Sequence, residues 1–281
     1  MTFEPDDLGL SSAGLALLRD LIHERTGLFY DPARYDSLSD RLAPLVIQRG
    51  FHSFLDFYYL LKYDEQEAAD EWRRVMDALS VPETYFWREV DQMHGLACSV
   101  LPALIREGAD VPIRIWSVPC ATGEEPLTIA MVLNEAGWFD RVPIEIHASD
   151  ASSSAIAKAR HGRYRERAFR SLPPALREKY FVRQDDTSTP IPELRARITS
   201  WSVVNLMSPA ELAAHAACPI IFCRNAFIYF SARSVKAVAQ ALADLMPTPA
   251  YLFLGASESL LNVTDRFMLD DLERSFVYVK R

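Results

Sequence analysis

The chain has 281 residues, 49% hydrophobic and 24% charged, the balance of a globular protein long enough for one large domain or two smaller ones. Its formal charge of −8 argues against nucleic acid as the main partner. No apolar run approaches the ~18 residues of a membrane span, so no membrane insertion is expected.

The opening Met1-Thr2-Phe3-Glu4-Pro5-Asp6-Asp7 is acidic and lacks the basic and apolar regions of a signal peptide. Cys98, Cys120, Cys218 and Cys223 show no C-x-x-C or metal spacing, as expected of free thiols in a reducing cytosol. The histidines never fall at i, i+4 near a carboxylate, so no zinc site is predicted.

Residues 8 to about 80 read as all-helical. Ser11-Ser12 is a candidate cap for a helix with apolar positions Leu15, Leu17, Leu18, Leu21 and Ile22, closing at Gly27. Further helices are predicted over 37–50, 53–63 and 65–79, with Ser53 as a cap. Residues 1–80 hold eight Lys/Arg against fifteen Asp/Glu and are net acidic by seven. Residues 80–89 read as a hinge whose aromatics Tyr85, Phe86 and Trp87 form either a hydrophobic strap or a wall of an active site. A helix over 92–107 follows.

From Ile113 the pattern alternates. Strands are expected over 113–118, 144–149, 202–204, 220–223 and 250–254, and helices over 126–136, 153–161, 209–214 and 232–246. Such alternation predicts a parallel sheet with helices on both faces. The chain closes on an expected antiparallel pair, 266–269 and 276–280. Residues 169–199, with Pro173, Pro174, Pro190 and Pro192, break the alternation and read as a small inserted subdomain.

The first strand runs into Pro119-Cys120-Ala121-Thr122-Gly123-Glu124-Glu125-Pro126, a tight turn with a helix expected to start near Glu125-Pro126. In doubly wound sheets ligands bind at the carboxyl ends of such strands. One glycine and two consecutive carboxylates suit a pyrophosphate poorly. Either the carboxylates complement the helix dipole, or the turn receives a ligand with a cationic end and a nucleoside end, such as S-adenosylmethionine. Asp150 closes the second strand 25 positions after Glu125, where an acidic residue accepts hydrogen bonds from a ribose; the other reading is a cap for the helix at Ser153. Arg224 and Asn225 follow the fourth strand, and Asn205-Leu206 follows the third, at positions suited to polar contacts with an adenine or amino-acid end.

Six stretches in register carry a resemblance: Glu83-Thr84-Tyr85-Phe86-Trp87-Arg88-Glu89, the turn Cys120–Pro126, Ser149-Asp150, Asn205-Leu206, Phe222–Phe230 and Leu254–Leu260. Together the chain resembles the CheR-type chemotaxis-receptor glutamate O-methyltransferases over nearly its whole length. The resemblance implies an α/β fold: a Rossmann-like S-adenosylmethionine methyltransferase domain with a small inserted subdomain, preceded by an all-α N-terminal domain. The expected division is a helical domain over 1–80, a hinge over 81–90 that contributes to the cofactor site, and a methyltransferase domain over 91–281.

It implies S-adenosylmethionine as methyl donor, S-adenosylhomocysteine as product, and glutamates on cytoplasmic chemoreceptor helices as acceptors. Thr84, Arg88, Glu125, Asp150, Asn205, Leu206, Arg224 and Asn225 are the implied cofactor contacts, with Arg88 and Tyr229 flanking the transfer point. A cytoplasmic monomer is expected. Pro82 stands where the family commonly has Asn, and Pro119 where it has a small residue. Either departure would weaken cofactor affinity, and both support the alternative of a degenerate cofactor-binding module; a non-receptor substrate is a further alternative.

Lys158, Arg160, Arg163, Arg165, Arg167 and Arg170 cluster with Glu166 as the only acid among them. They read as a solvated face or as a receptor contact. The connection 184–192 is too short for the extra loop with which some family members bind a receptor-tail peptide, so no peptide tether is expected.

Overall fold

The computed structural model describes residues 12–281 except Pro32, Arg34 and the side chains of Ser12 and Ala13. The expected cap at Ser11-Ser12 therefore lies outside what is described. Four helices come first: α1 (Ser12–Thr26), α2 (Tyr35–Gln48), α3 (Phe54–Tyr63) and α4 (Ala68–Leu79). Leu15, Leu18 and Ile22 recur at helical spacing and enter a common core with Leu38, Leu42, Phe57 and Val75. Leu17 lies off that face and is 45% exposed. Ser53 caps α3 by accepting from the Asp56 N–H. α4 starts later than expected because Asp64 instead folds a turn, accepting from the N–H groups of Gln66 and Glu67.

The aromatics of the segment 80–90 part ways. Phe86 is fully buried against the rings of Tyr164, Phe169 and Phe181. Trp87 packs edge-on to His94, while Tyr85 walls a cavity described below. The helix expected over 92–107 is interrupted: α5 (Asp91–Gly95) and α6 (Leu101–Arg106) flank a π-turn at Leu96–Val100.

Next come β1 (Ile113–Ser117), α7 (Glu124–Glu135), β2 (Ile144–Asp150) and α8 (Ser153–His161). β3 (Tyr164–Arg165), α9 (Pro174–Tyr180), β4 (Phe181–Gln184), β5 (Thr187–Pro190) and α10 (Pro192–Arg195) form the insertion, and β6 (Ile198–Val203), α11 (Pro209–His215), β7 (Ile220–Phe222), α12 (Ala232–Leu245), β8 (Ala250–Phe253), β9 (Met268–Asp271) and β10 (Phe276–Lys280) complete the chain. The main sheet has the order β6-β2-β1-β7-β8-β10-β9. The pairs from β6 through β8 are parallel, and β10 is antiparallel to both β8 and β9. Alternate residues feed two cores. Ile113, Ile115, Ile220, Phe222 and Phe253 meet α7 on one face, and Trp116, Ile221, Leu252 and Leu254 meet α11 and α12 on the other.

Further boundaries differ from the sequence reading, three of them near the site. β6 begins at Ile198, inside the span assigned to the insertion, because Ile198 is buried opposite Ile146. The insertion itself holds a three-stranded antiparallel sheet, β3-β5-β4, whose first strand lies before residue 169. α7 starts at Glu124, so Pro126 is its third residue; the first helical turn lacks intrahelical N–H bonds and tolerates proline there.

Candidate active site

Strand order reverses direction at β1, with β2 on one side and β7 on the other. The turns leaving β1, β2, β6 and β7 converge on one cavity of about 380 Å³, a volume typical of a small-molecule site. The turn after β1 is clamped to β2. Cys120 N–H donates to the Ser149 carbonyl at 2.8 Å and Ala121 N–H to Asp150 Oδ2 at 2.9 Å. It enters α7 through Gly123 at φ 98°. A Cβ there would lie 2.9 Å from the Trp201 ring and 3.0 Å from the Tyr164 hydroxyl, so both conformation and space require glycine.

The two adjacent carboxylates part ways. Glu124 is buried, accepts from the Thr122 hydroxyl at 2.7 Å, and has its carboxyl pushed up to about 7 by burial. Glu125 lines the cavity. It accepts from Ser117 Oγ at 2.7 Å and from Arg224 Nη1 at 2.8 Å. Burial raises its carboxyl, and the neighbouring guanidinium opposes that.

Arg224 is 3% exposed. Its Nη2 donates to the Arg88 carbonyl at 2.9 Å and lies 3.1 Å from Glu89, while its buried Nε has no partner among the described residues. Arg88 is held by the Glu83 carbonyl at 3.0 Å, with its guanidinium 5.7 Å from the Tyr85 ring. Trp87 and Glu89, on either side of Arg88, have φ of 71° and 50°, and Ala121 and Asn225 have 47° and 60°. Left-handed backbone at non-glycine residues costs of order 1–3 kcal/mol each and gathers at functional sites.

Asp150 is buried and takes its hydrogen bonds from Ala121 N–H and, at 2.8 Å, Ser152 N–H. Its carboxyl is raised by burial, and those two bonds oppose the rise. It does not cap α8, whose cap is Ser152. Thr84, Leu206, Asn225 and Tyr229 also line the cavity. Asn205 does too, but its side chain is committed elsewhere: Oδ1 accepts from Met207 N–H at 3.0 Å and Nδ2 donates to the Arg25 carbonyl at 2.8 Å. Thus the nine residues implied as cofactor contacts or as flanking the transfer point all border one cavity. Pro119 borders it without closing it, and neither Pro82 nor Trp87 is part of the wall.

Other contributors were not singled out. Glu258 accepts from the N–H groups of Asn225, Phe227, Ile228 and Gly255 and so fixes the turn after β7; it sits in a stretch already quoted, so position gave the signal. Glu89 neutralises Arg224 and accepts from Ala256 N–H. Thr26, Leu28, Arg41 and Met76 reach the cavity from the helical domain, and no local pattern announces that.

Residues 82–276 match the family model "CheR methyltransferase, SAM binding domain", and residues 13–80 match "CheR methyltransferase, all-alpha domain". The chain belongs to the CheR methyltransferase family. Chemotaxis protein methyltransferase 2 of Vibrio cholerae is 31% identical over 278 residues, covering 98% of this chain and 95% of that protein. Chemotaxis protein methyltransferase 1 of Pseudomonas aeruginosa is 27% identical, covering 96% and 99%. The probable biofilm formation methyltransferase WspC of Pseudomonas putida is 30% identical, covering 92% of this chain and 60% of its own length.

This CheR-family chain is an S-adenosylmethionine-dependent methyltransferase. The cavity wall carries a carboxylate at Asp150, apolar side chains at Leu28, Val204 and Leu206, and the guanidinium of Arg224. Among the described residues no helix is long and apolar enough to cross a membrane.

Proposed function

We propose that this CheR-family enzyme methylates glutamate side chains on cytoplasmic helices of chemoreceptors, yielding glutamate methyl esters and S-adenosylhomocysteine. One observation carries the reading: the cavity offers cations at Arg41, Arg88 and Arg224, while the carboxylates that line it are already engaged, Glu83 by Arg167 and Arg170, Glu125 by Arg224 and Asp150 by backbone N–H groups. No histidine or lysine lines it among the described residues. Cys120, in the wall, has its thiol pushed well above its ordinary value by burial and by the Asp150 and Glu125 charges. The acceptor must therefore arrive already nucleophilic, and a glutamate carboxylate, with a reference pKa of about 4.3, is ionised at neutral pH.

The cofactor supplies a methyl group already activated on a sulfonium. The chain's part is orientation and exclusion of water. Asp150 would accept from the ribose. Thr84, Asn205, Leu206 and Asn225 would complete the cofactor's bed, and Arg224, held by Glu125 and Glu89, would form part of its floor. Arg88 would hold the incoming carboxylate, and the Tyr229 hydroxyl would donate to it. The chain then works in the cytoplasm, beside its receptor. The test is transfer of label from S-adenosylmethionine to purified chemoreceptor cytoplasmic fragments. Label released by mild base supports a glutamate ester, and base-stable label contradicts it.

A further inference from the structure

Asp77 lies in the last turn of α4, outside the cavity wall, and reaches across to the methyltransferase domain. Its Oδ1 accepts from Ser152 Oγ at 2.7 Å and from Ser154 N–H at 2.9 Å, and its Oδ2 from Ser153 Oγ at 2.9 Å. Those three serines open α8, directly after the β2 tip that carries Asp150. Ser152 already caps α8 by accepting from Ala155 N–H at 3.0 Å, and its own N–H donates to Asp150 Oδ1. The helix start thus has its cap without Asp77. What Asp77 adds is an unbroken hydrogen-bonded path, Asp77–Ser152–Asp150, from the helical domain to a carboxylate of the cavity.

The same stretch of α4 places Met76 and Leu79 in the cavity wall. Burial alone would raise the Asp77 carboxyl, yet the bonds from Ser154, Ser152 and Ser153 outweigh it and hold it below the ordinary carboxylate value. An anion fixed at the N-terminal end of α8 also complements the helix dipole.

We infer that Asp77 is a positioning residue for the cofactor: it fixes the 150–154 turn from the helical domain, so that this domain forms part of the nucleoside-binding pocket rather than only a docking arm. The inference rests on the ribose role proposed for Asp150. It makes cofactor affinity and domain docking two sides of one equilibrium, so that S-adenosylhomocysteine tightens the attachment of the helical domain.

The test uses the full chain. Asp77→Asn keeps the size but loses the charge and one acceptor; Ser153→Ala removes a single donor. S-adenosylhomocysteine and adenosine binding are measured by calorimetry, and KM for S-adenosylmethionine and kcat by initial rates. Asp77→Asn is expected to weaken both ligands at least tenfold and to raise KM in proportion, with kcat within twofold of wild type. Ser153→Ala is expected to weaken them about threefold, with no further effect in the Asp77→Asn background. Unchanged ligand affinity with a lowered melting temperature would assign Asp77 to docking alone and overturn the inference. So would a fall in kcat at constant KM. If Asp77→Asn does not fold, the affinity of Ser153→Ala decides. Wild-type protein that fails to bind S-adenosylhomocysteine would instead overturn the underlying cofactor reading.

Discussion

Arg224 and Glu125 meet at 2.8 Å beneath the cavity, the first in the turn after β7 and the second in the first turn of α7. Their pairing lets the cavity carry acidic residues without a net repulsive floor. Removing one member of a buried pair costs about 3–5 kcal/mol because the other charge stays buried. Arg224→Ala, which strands both Glu125 and Glu89, is expected to lose that amount in urea denaturation and to lose S-adenosylhomocysteine binding. Glu125→Gln is expected to lose less stability, since Glu89 still faces Arg224.

Glu124 gives a pH signature. Its carboxyl is pushed up to about 7 in the folded chain by burial, from an ordinary 4.5. The folded state then binds more protons than the unfolded state between these values, so its stability contribution is complete below about pH 4.5 and is lost as pH rises through 7. Replacing Glu124 with Gln is expected to leave stability at pH 5 little changed and to raise it at pH 8, by up to about 3 kcal/mol on the scale of 1.36 kcal/mol per pKa unit. Denaturation midpoints at the two pH values check this; equal effects at both would refute it.

Arg88 and Tyr229 separate transfer from folding. Arg88→Ala is expected to lower kcat roughly a hundredfold, the scale of a lost charge-assisted contact in a dry site, with partial recovery in Arg88→Lys. The Tyr229 hydroxyl bonds no described side chain, so Tyr229→Phe should fold normally and lose about tenfold in kcat, the scale of one hydrogen bond. Undiminished turnover in Arg88→Ala would remove it from the proposed role.

The basic cluster, which runs from α8 into the insertion, is mostly occupied. Arg167 and Arg170 both pair with Glu83, Arg165 lies 3.9 Å from Asp186, and Arg160 donates to the Trp201 carbonyl. Lys158 and Arg163 are exposed. If that face meets an acidic receptor, charge reversal at both is expected to raise receptor KM about three- to tenfold at low salt, an effect that fades at high salt. An unchanged KM would leave them as a solvated surface.

The turn between β1 and α7 was legible because it joins a period-two apolar strand to a helix through one obligatory glycine. β6 was not. It is an edge strand whose Ser200 and Ser202 pair by hydroxyl contacts with His147 and Ser149 at 2.8 Å each, so cross-strand hydrogen bonds replace the apolar alternation that announces a strand. The strands of the small sheet are two to four residues long and carry Thr, Pro and Arg, too short to show a period. Asp150 was legible from spacing, whereas its link to Asp77 joins residues 73 positions apart and exists only once the two domains pack. The short hairpin between β4 and β5, turning through Asp185-Asp186, agrees with the brief connection read there.

Calorimetric titration with S-adenosylhomocysteine, followed by label transfer to chemoreceptor fragments with and without Arg88, tests the central claim most directly. Saturable binding, base-labile label on the receptor, and loss of that label in Arg88→Ala are expected. Binding without any transfer, or transfer that survives base treatment, would contradict it.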